Sequence, residues 1–431
     1  MKTIHQKHAV RRSLKLSVLD GSAYAAMLGL TQNYITPLAL ELKATTAQIG
    51  LLTSIPSLSM ALSQLAAPDL SERAGSRKGF ILPVVFGHAI MFIPILLVPY
   101  IFHVSQVWWL IVFVTASVVL GAIANPAWGS MMADLVPIRL RGRYFGSRGR
   151  IAGFIAFAFS FLAGGILQLF TGIGIFTGYA VLFAGATVFR LLSFFFLSRM
   201  YEPAQTESKE KGPSLLEQIK GMGSSNLGKF TIYIALIDFC TCISAPFFTV
   251  FMLRDLNFNY TTWIIVVSAG TLSNLLFQTF WGRRADMAGN IKVVRLTSML
   301  LPFVPLLWLA SSNVYYLMVA NIVSGFAWSG FGLSAVNFVY DASEKGNRTK
   351  QIALFNAADG IACCLGALIG GFLVPHLPVL LGYQLRSLFT VSGVLRGVVV
   401  LLLLRKIIEV RRVHRMTTWE MLTRRSGNGK R

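Results

Sequence analysis

The chain has 431 residues, of which 55% are hydrophobic and 13% are charged, and its formal net charge is +22. Soluble proteins carry about 25% charged residues, so this composition excludes a string of soluble domains. The four cysteines are too few for an extracellular disulfide scaffold of this size. What remains is a polytopic membrane protein.

Twelve apolar stretches are long enough to cross a bilayer, which takes about 20 residues in an α-helix. Each is a continuous apolar run, whereas strands of a membrane barrel would be about ten residues long with alternating polarity. The predicted fold class is therefore an all-α polytopic membrane protein with twelve transmembrane helices. The predicted spans are 16–38, 47–67, 79–101, 107–132, 149–170, 177–198, 230–252, 261–281, 291–310, 314–340, 350–374 and 383–406.

A long hydrophilic connection divides these spans into two groups of six. We predict a basic amino-terminal tail over 1–15, a six-helix bundle over 16–198, a central loop over 199–229, a second six-helix bundle over 230–406 and a basic carboxyl-terminal tail over 407–431.

Most of the 39 lysine and arginine residues lie in the two tails and in the loops that follow even-numbered spans. The positive-inside rule places such loops in the cytoplasm, so we expect a multi-pass protein of the cell membrane with both termini cytoplasmic. These residues are also expected to attract anionic lipids, at about 1 kcal/mol each near the surface. Nucleic acid is not an expected partner, because the sequence has no basic soluble domain to bind it.

All four cysteines fall within predicted spans, Cys240 and Cys242 in the seventh and Cys363 and Cys364 in the eleventh. Within lipid we expect them to be small packing residues. Metal ligation is not expected, because no histidines accompany them. The sequence also shows no nucleophile–base cluster and no phosphate-binding loop, so neither a cofactor, nor an enzymatic activity, nor transport driven by ATP is expected.

The two halves of the sequence repeat each other. Arg190 recurs as Arg396 at a shift of 206, and Asp134 recurs as Asp341 at a shift of 207. Matches in the same order and at equivalent helix ends indicate duplication. Parallel repeats within one membrane chain are typical of secondary transporters.

Related motifs lie in the loops that follow the second and eighth spans. The second half has GRRADMAG at 282–289, and the first half has PDLSERAG at 68–75. These sequences resemble the signature G-x-x-x-D-R/K-x-G-R/K-R/K of the major facilitator superfamily, with Pro68 in place of the first glycine and Glu72 in place of the aspartate. The resemblance extends over 16–406 and implies a transporter built from two pseudo-symmetric six-helix bundles.

The resemblance also implies a cytoplasmic gate, in which ion pairs hold the ends of the two halves together and break on rocking. Gly75 and Gly289 permit a turn with positive φ, and Glu72 and Asp286 are expected to accept hydrogen bonds from helix amino-terminal N–H groups. The alternative is that these residues only fix the topology and cap helices. The gate candidates are Glu72, Arg73, Gly75, Arg77, Asp134, Arg141, Gly282, Asp286, Gly289, Asp341 and Arg348.

Three acidic residues fall within predicted spans, where a charge at the helix centre costs about 2.5–3.5 kcal/mol. They are Asp238 in the seventh span, Asp359 in the eleventh and Asp20 in the first. A carboxyl group shielded from water can load and release a proton near neutral pH. All three are therefore candidates for coupling to a proton or another cation, with Asp238 first, and the alternative for each is a neutral or paired structural aspartate.

Other polar residues also fall within the spans. Arg190 and Arg396 occupy matching places in the sixth and twelfth spans, where we expect snorkelling or inter-helix ion pairs, with binding of a substrate anion as the alternative. The resemblance implies that spans one, four, seven and ten line a central cavity, although helix packing would explain any one polar residue there equally well. The cavity candidates are Gln32, Asn33, Asn125, Trp128, Asn321 and Trp328.

These features predict a secondary active transporter that moves a small solute by rocking of two six-helix halves, coupled to a proton and functional as a monomer. One alternative is a drug/proton efflux antiporter of the same fold. The fourth span lacks the central arginine, and the fifth lacks the Gly-Pro, that many such antiporters have. Another alternative is a membrane receptor or scaffold that transports nothing.

Overall fold

The computed structural model describes residues 2–137, 140–203, 225–343, 348–411 and Glu420, and these residues contain no β-strand. The α-helices of the first half are Lys2–Thr31 (α1), Ile35–Glu41 (α2), Thr46–Arg73 (α3), Arg77–Ile90 (α4), Phe92–Ile101 (α5), Gln106–Leu135 (α6), Arg141–Phe170 (α7) and Ile175–Ser198 (α8). Those of the second half are Asn226–Ser244 (α9), Phe247–Val250 (α10), Tyr260–Ala288 (α11), Asn290–Ser298 (α12), Phe303–Ala310 (α13), Val314–Ala342 (α14), Arg348–Leu373 (α15) and Gln384–Leu403 (α16).

In the described part of the chain, 11 helical segments are long and apolar enough to cross a membrane, from Thr46–Ala67 to Gln384–Lys406. The remaining predicted span falls on α1 and α2. With 30 residues, α1 is about 45 Å long at 1.5 Å per residue, and it begins in the basic tail. The predicted fold class, an all-α polytopic membrane protein, is confirmed.

Prolines divide four of the predicted spans. Pro37 has no N–H to bond the carbonyl group four residues earlier, and the chain leaves the helix between α1 and α2. Pro94 has the same effect between α4 and α5, Pro246 between α9 and α10, and Pro302 between α12 and α13. The first and seventh spans, and the third and ninth, are equivalent in the repeat, so the breaks recur in both halves.

The chain groups into two compact units. The first unit contains the helices up to α8 together with Pro246–Ile264. The second contains α9 and the described residues from Ile265 onward. In the first unit, α1 packs against α7 and α8, while α3 and α4 pack against α6. In the second unit, α9 packs against α15 and α16, and α12 packs against α14. The predicted boundaries of the bundles and tails stay a prediction.

Aromatic packing fixes α9 in the core of the second unit. Phe230, Tyr233 and Ile237 of α9 are buried in one cluster with Phe331 and Phe338 of α14. The α9 residues are spaced by three and four positions, which places them on one face of the helix. The neighbouring face of α9 is the one that carries the site described below.

Candidate functional site

Two predicted intramembrane acids, Asp238 on α9 and Asp359 on α15, lie together in the second unit. Their side chains are within hydrogen-bonding distance of each other, and both residues are half-buried. Among the described residues, no hydrogen-bond donor reaches the buried Oδ1 of Asp359. An ionised carboxylate only accepts hydrogen bonds, so this contact is satisfied when the two side chains share one proton. We call Asp238 and Asp359 together the carboxyl pair.

Arg396 on α16 provides the positive charge beside the carboxyl pair. It is 1% exposed, and it donates to the Leu301 carbonyl oxygen at 3.2 Å and to the Ser244 hydroxyl at 3.1 Å. It also interacts electrostatically with Asp238. Two acids and one arginine are neutral together when the carboxyl pair holds one proton, and they carry one negative charge when it holds none.

Two glycines explain how α9 and α15 approach closely enough for this contact. A Cβ atom at Gly366 would overlap the carbonyl oxygen of Phe239, and a Cβ atom at Gly370 would overlap that of Ile243. Small residues at such positions let the backbones of membrane helices come together. The two helices therefore meet backbone to backbone just beyond the carboxyl pair.

A disulfide joins the same two helices. Cys242 on α9 is bonded to Cys363 on α15, with their Cα atoms 5.2 Å apart, while Cys240 and Cys364 are free. The prediction that all four cysteines are simple packing residues is therefore wrong for the bonded two. Within the described residues, no three histidine, cysteine or acidic side chains are grouped to hold a metal ion.

The third predicted acid, Asp20 on α1, lies in a separate cluster in the first unit. The Ser193 hydroxyl donates to its Oδ1 at 2.7 Å, and Nη2 of Arg148 lies 3.5 Å from its Oδ2. Arg190 donates to Ser193 at 3.1 Å and interacts with the charge of Asp20. Asp20 is thus surrounded by donors and cations, which favours the interpretation as a paired structural aspartate.

Neither intramembrane arginine that was predicted from the repeat snorkels to the surface. Arg190 is 5% exposed and Arg396 is 1% exposed, and the guanidinium group of Arg190 lies 4.7 Å from the centre of the Tyr24 ring. Snorkelling is therefore the wrong expectation. Each arginine instead interacts electrostatically with a buried acid on another helix, Asp20 in the first unit and Asp238 in the second.

Two cavity candidates of the first unit, Asn33 and Trp128, lie close to polar or charged partners. Gln32 and Asn33 lie in the turn between α1 and α2 rather than within a helix, and Asn33 donates to the Ser160 hydroxyl at 3.0 Å. Trp128 on α6 stacks under the guanidinium group of Arg148, which lies 4.4 Å from the ring centre. This contact connects Trp128 with the Asp20 cluster.

The other cavity candidates make simpler contacts. Asn125 is exposed on α6. In the second unit, Asn321 on α14 donates to the Leu317 carbonyl oxygen at 3.0 Å, and Trp328 packs edge-on against Phe331. Their assignment to a substrate cavity stays a prediction.

At the end of the first unit where α4 begins and α6 ends, one predicted ion pair is present. Nη1 of Arg77 lies 2.7 Å from Oδ2 of Asp134, and the Arg77 side chain is 4% exposed. Arg77 also donates to the Ser130 hydroxyl and to the Pro203 carbonyl oxygen, each at 3.0 Å. Arg77 therefore ties the start of α4 to the end of α6 and to the segment after α8.

The acids that cap α4 and α12 come from the segments that follow α8 and α16, and neither was predicted. Glu202, which follows α8, accepts from the Lys78 N–H at 3.3 Å. Glu409, which follows α16, accepts from the Ile291 N–H at 2.8 Å. These two glutamates are 207 residues apart, the shift already found for the acids at the ends of α6 and α14, so the repeat contained the signal that would have identified them.

Asp286, one of the two acids predicted to cap these helices, lies elsewhere. Asp286 is exposed at the end of α11, with Nη1 of Arg411 at 3.6 Å from its Oδ1, so its predicted capping role is wrong. Arg73 is exposed at the end of α3. The side chains of Glu72 and Arg348 lie outside the described residues.

In the second unit, an arginine from beyond the last helix occupies the place that Arg77 has in the first. Asp341 accepts from Nδ2 of Asn290 at 2.7 Å and from Nε of Arg411 at 2.6 Å. The hydrogen bond to Asp341, together with the negative charges of Asp341 and Asp286, raises the pKa of the Arg411 guanidinium above its usual value. In each unit an arginine therefore pairs with the acid at the corresponding helix end, but the two arginines come from different parts of the repeat.

Another gate candidate, Arg141, donates hydrogen bonds to backbone carbonyl groups. Nε of Arg141 donates to the Val136 carbonyl oxygen at 3.2 Å, and Nη2 donates to that of Ala133 at 2.5 Å. These bonds satisfy carbonyl groups at the carboxyl end of α6, which have no partner within the helix. Arg141 is thus a helix cap in this structure.

The loop glycines have the backbone conformation that the motif predicts. The φ angle is 67° at Gly75 and 92° at Gly289, a region that residues with a Cβ atom rarely adopt. Gly282 lies within α11, and a Cβ atom there would make ordinary contact with Leu333 at 3.4 Å.

Comparisons with solved structures show the fold. A mutant form of the nucleoside transporter NupG has a TM-score of 0.73 at 14% sequence identity, and the alignment covers 93% of this chain and 100% of that chain. A D-xylose-proton symporter has a TM-score of 0.70 at 12% identity, covering 94% of this chain and 99% of that chain.

Sequence comparisons point to the same family. The efflux pump dotC of Dothistroma septosporum is 27% identical over 157 residues, which are 36% of this chain and 27% of that protein. The chain thus spans about a quarter of this curated relative. The family model described as Major Facilitator Superfamily matches residues 21–245 and 230–418. Since these matches extend over most of the sequence, the chain belongs to the Major Facilitator Superfamily.

Proposed function

We propose that this protein is a secondary active transporter that moves a small solute by rocking of its two six-helix halves, driven by a proton gradient through Asp238 and Asp359. The observation that carries this proposal is the contact between the two carboxyl groups, which needs a shared proton. We further infer that both termini are cytoplasmic, that the protein acts in the cell membrane as a monomer, and that anionic lipids surround its basic loops.

The shared proton couples to movement through the charge of the cluster. With the proton bound, the carboxyl pair and Arg396 are neutral together, and without it they carry one negative charge. A buried charge without compensation is costly in a medium of low dielectric constant. With the proton bound, the carboxyl pair and Arg396 can therefore stay buried while the protein changes conformation. Without the proton, access to water stabilises their negative charge.

Family membership supports transport rather than enzymatic catalysis. The structural likeness to a D-xylose-proton symporter agrees with coupling to a proton. At 12% identity this likeness shows the shared fold and does not identify the substrate. The proposal therefore rests on the residues of this chain, and the solute is assigned by class as a small polar molecule.

A drug/proton efflux antiporter is the second candidate. It is favoured by the 27% identity to the efflux pump dotC over 157 residues. Export and import differ in the sign of the proton gradient that drives them. In proteoliposomes, antiport predicts that a lumen more acidic than the outside drives accumulation inside, whereas symport predicts accumulation with the opposite gradient.

Uptake into proteoliposomes tests the proposal. A thermal-shift screen with nucleosides, pentoses and organic ions first selects the solute that stabilises the purified protein most. Its radiolabelled form is then offered under an imposed gradient of one pH unit, which supplies about 1.4 kcal/mol and so supports about tenfold accumulation for one proton per solute. We expect this accumulation with the wild-type protein.

The variant Asp238→Asn is expected to lose accumulation, because an amide cannot exchange the shared proton. Asp255→Asn is the matched control, since Asp255 lies outside the cluster and pairs with its neighbour Arg254 at 2.8 Å. If Asp238→Asn accumulates the solute with unchanged pH dependence, the proton-coupling role is wrong. If the wild-type protein moves none of the solutes that bind it, the non-transporting receptor or scaffold is the better interpretation.

A further inference from the structure

The disulfide and the carboxyl pair occupy the same two helices in the same register. Cys242 follows Asp238 by four residues on α9, and Cys363 follows Asp359 by four residues on α15. The two cysteines are 121 residues apart, and so are the two aspartates. Residues four apart lie on one helix face, about 6 Å apart along the axis, so the cross-link lies one turn from the shared proton.

Residues along one stripe of α15 contact α9. Asp359, Cys363, Gly366 and Gly370 follow one another at steps of four, three and four residues, which keeps them on one face. Rising residue numbers on α15 meet rising numbers on α9, so the two helices run parallel. The carboxyl pair is at one end of this stripe, and the covalent bond and the glycine contacts lie beyond it.

The cross-link matters most when the proton leaves. Two ionised carboxylates repel each other strongly where water is scarce, and the two helices that carry them are then pushed apart at that level. Glycine contacts are weak dispersion contacts that separate easily. A covalent bond one turn away limits the separation, so that the two carboxyl groups remain close enough to take up the next proton together.

We propose that the Cys242–Cys363 disulfide is a positioning element for proton coupling, which holds α9 and α15 at the separation where Asp238 and Asp359 share one proton. This inference deepens the proposed function and rests on it. The bonded cysteines touch neither solute nor proton in this account. They act through the aspartates one helical turn away.

Three further groups face the carboxyl pair and are held independently of the disulfide. Arg396 comes from α16, while Tyr233 and Cys240 lie on α9 itself. The Tyr233 hydroxyl is hydrogen-bonded to Ser298 at 2.6 Å, and Arg396 is held by its own two hydrogen bonds. Loss of the cross-link is therefore expected to change the distance between the two aspartates rather than these neighbours.

Chemical labelling tests this role without any transported solute. Dicyclohexylcarbodiimide reacts with protonated carboxyl groups, and mass spectrometry of the full-length purified protein measures the labelling of Asp238 across a pH series. Cys242→Ser/Cys363→Ser removes the cross-link, and Asp359→Asn removes the partner acid. Cys364→Ser is the matched control, since it replaces a free cysteine on α15 and keeps the disulfide.

We expect the Asp238 labelling profile of Cys242→Ser/Cys363→Ser to coincide with that of Asp359→Asn. Both are expected to be displaced from the wild-type profile by about one pH unit, the size of interaction at which two sites titrate as a pair. The control variant is expected to keep the wild-type profile. A general loss of packing would lower thermal stability without making these two profiles coincide.

Wild-type protein reduced with dithiothreitol after purification provides a second measurement, because it starts from folded protein even if the serine variant does not fold. Thiol counting verifies that the bond is open. If the opened protein keeps the wild-type labelling profile, the positioning role is overturned. If the profile moves while Asp238→Asn leaves uptake unchanged, the disulfide does position the pair and it is the proton-coupled function that is wrong.

Discussion

Each unit contains a cluster of acidic and basic side chains among its helices. Arginines outnumber acids in the cluster of the first unit, and acids outnumber arginines in that of the second. In the first unit, Asp20 lies with Arg148 and Arg190, so donors meet its acceptor oxygens and no proton is needed. In the second unit, two carboxyl groups face each other and one cation stands beside them. We infer from this difference that the partner of an acid within the membrane, rather than its burial, makes it a candidate proton carrier.

The largest expected effect is the loss of proton coupling when either aspartate of the carboxyl pair is replaced. Asp359→Asn is expected to abolish solute accumulation, which is about tenfold in the wild-type protein, as completely as Asp238→Asn does. The reason is that a carboxyl group and an amide cannot share one exchangeable proton. The double variant is expected to fall no further, since residues that act as a unit are not additive. Proteoliposome uptake measures all three, and a double variant clearly weaker than both single variants would contradict the shared proton.

Asp20→Asn tests the other side of the comparison. The change leaves the buried Arg190 and the partly exposed Arg148 without their acid, and breaking a buried ion pair costs about 3–5 kcal/mol. We expect a lower thermal transition of the purified protein, but an unchanged pH profile of Asp238 labelling. A variant as stable as wild type whose uptake loses its pH dependence would show that the first unit, and not the second, carries the proton.

Gly366→Ala tests the approach of α9 and α15. The added methyl group would overlap the Phe239 carbonyl oxygen, and overpacking of this kind costs about 1–3 kcal/mol. Thermal unfolding is expected to show this loss, with Asp238 labelling displaced as in the variant without a disulfide. Gly332→Ala is the control, because nothing lies within 4 Å of a Cβ atom there; equal effects of the two changes would contradict the close helix contact.

The smallest effects are expected at the arginine–acid contacts between the helix ends of each unit. Arg77 is nearly buried and its charged hydrogen bonds are worth about 1.5–3 kcal/mol each, whereas the Arg411 side chain is 36% exposed and exposed pairs contribute about 0–1 kcal/mol. Arg77→Gln is therefore expected to destabilise the purified protein more than Arg411→Gln in thermal unfolding. The reverse order would show that the arginine after α16, and not the one at the start of α4, holds its unit closed.

The fold was predictable because crossing a bilayer demands long apolar runs, and those runs are visible in the sequence. Asp238 and Asp359 were also predictable as separate candidates, since each charge interrupts such a run. Their contact was not, because which faces of two distant helices meet depends on packing throughout the unit. The recurring spacing of Asp, three residues and Cys in both spans was nonetheless a readable sign that the two helices are related.

The arginine–acid contacts between the helix ends of each unit were harder to predict. Arg77 and Asp134 follow from the motif and the repeat, and they do pair. Glu202, Glu409 and Arg411 lie in short segments after the last helix of each half, where the repeat shift of 207 links the two glutamates but no helical pattern marks any of the three. Their roles depend on how the chain folds back, which local sequence does not determine.

Infrared difference spectroscopy across a pH titration tests the shared proton most directly, because it detects the carbonyl stretch of protonated carboxyl groups. We predict one such buried carboxyl signal in the wild-type protein that disappears in Asp238→Asn and equally in Asp359→Asn, and that persists in Asp20→Asn. A signal that survives in either of the first two variants, or that disappears in Asp20→Asn, would contradict a proton held between α9 and α15.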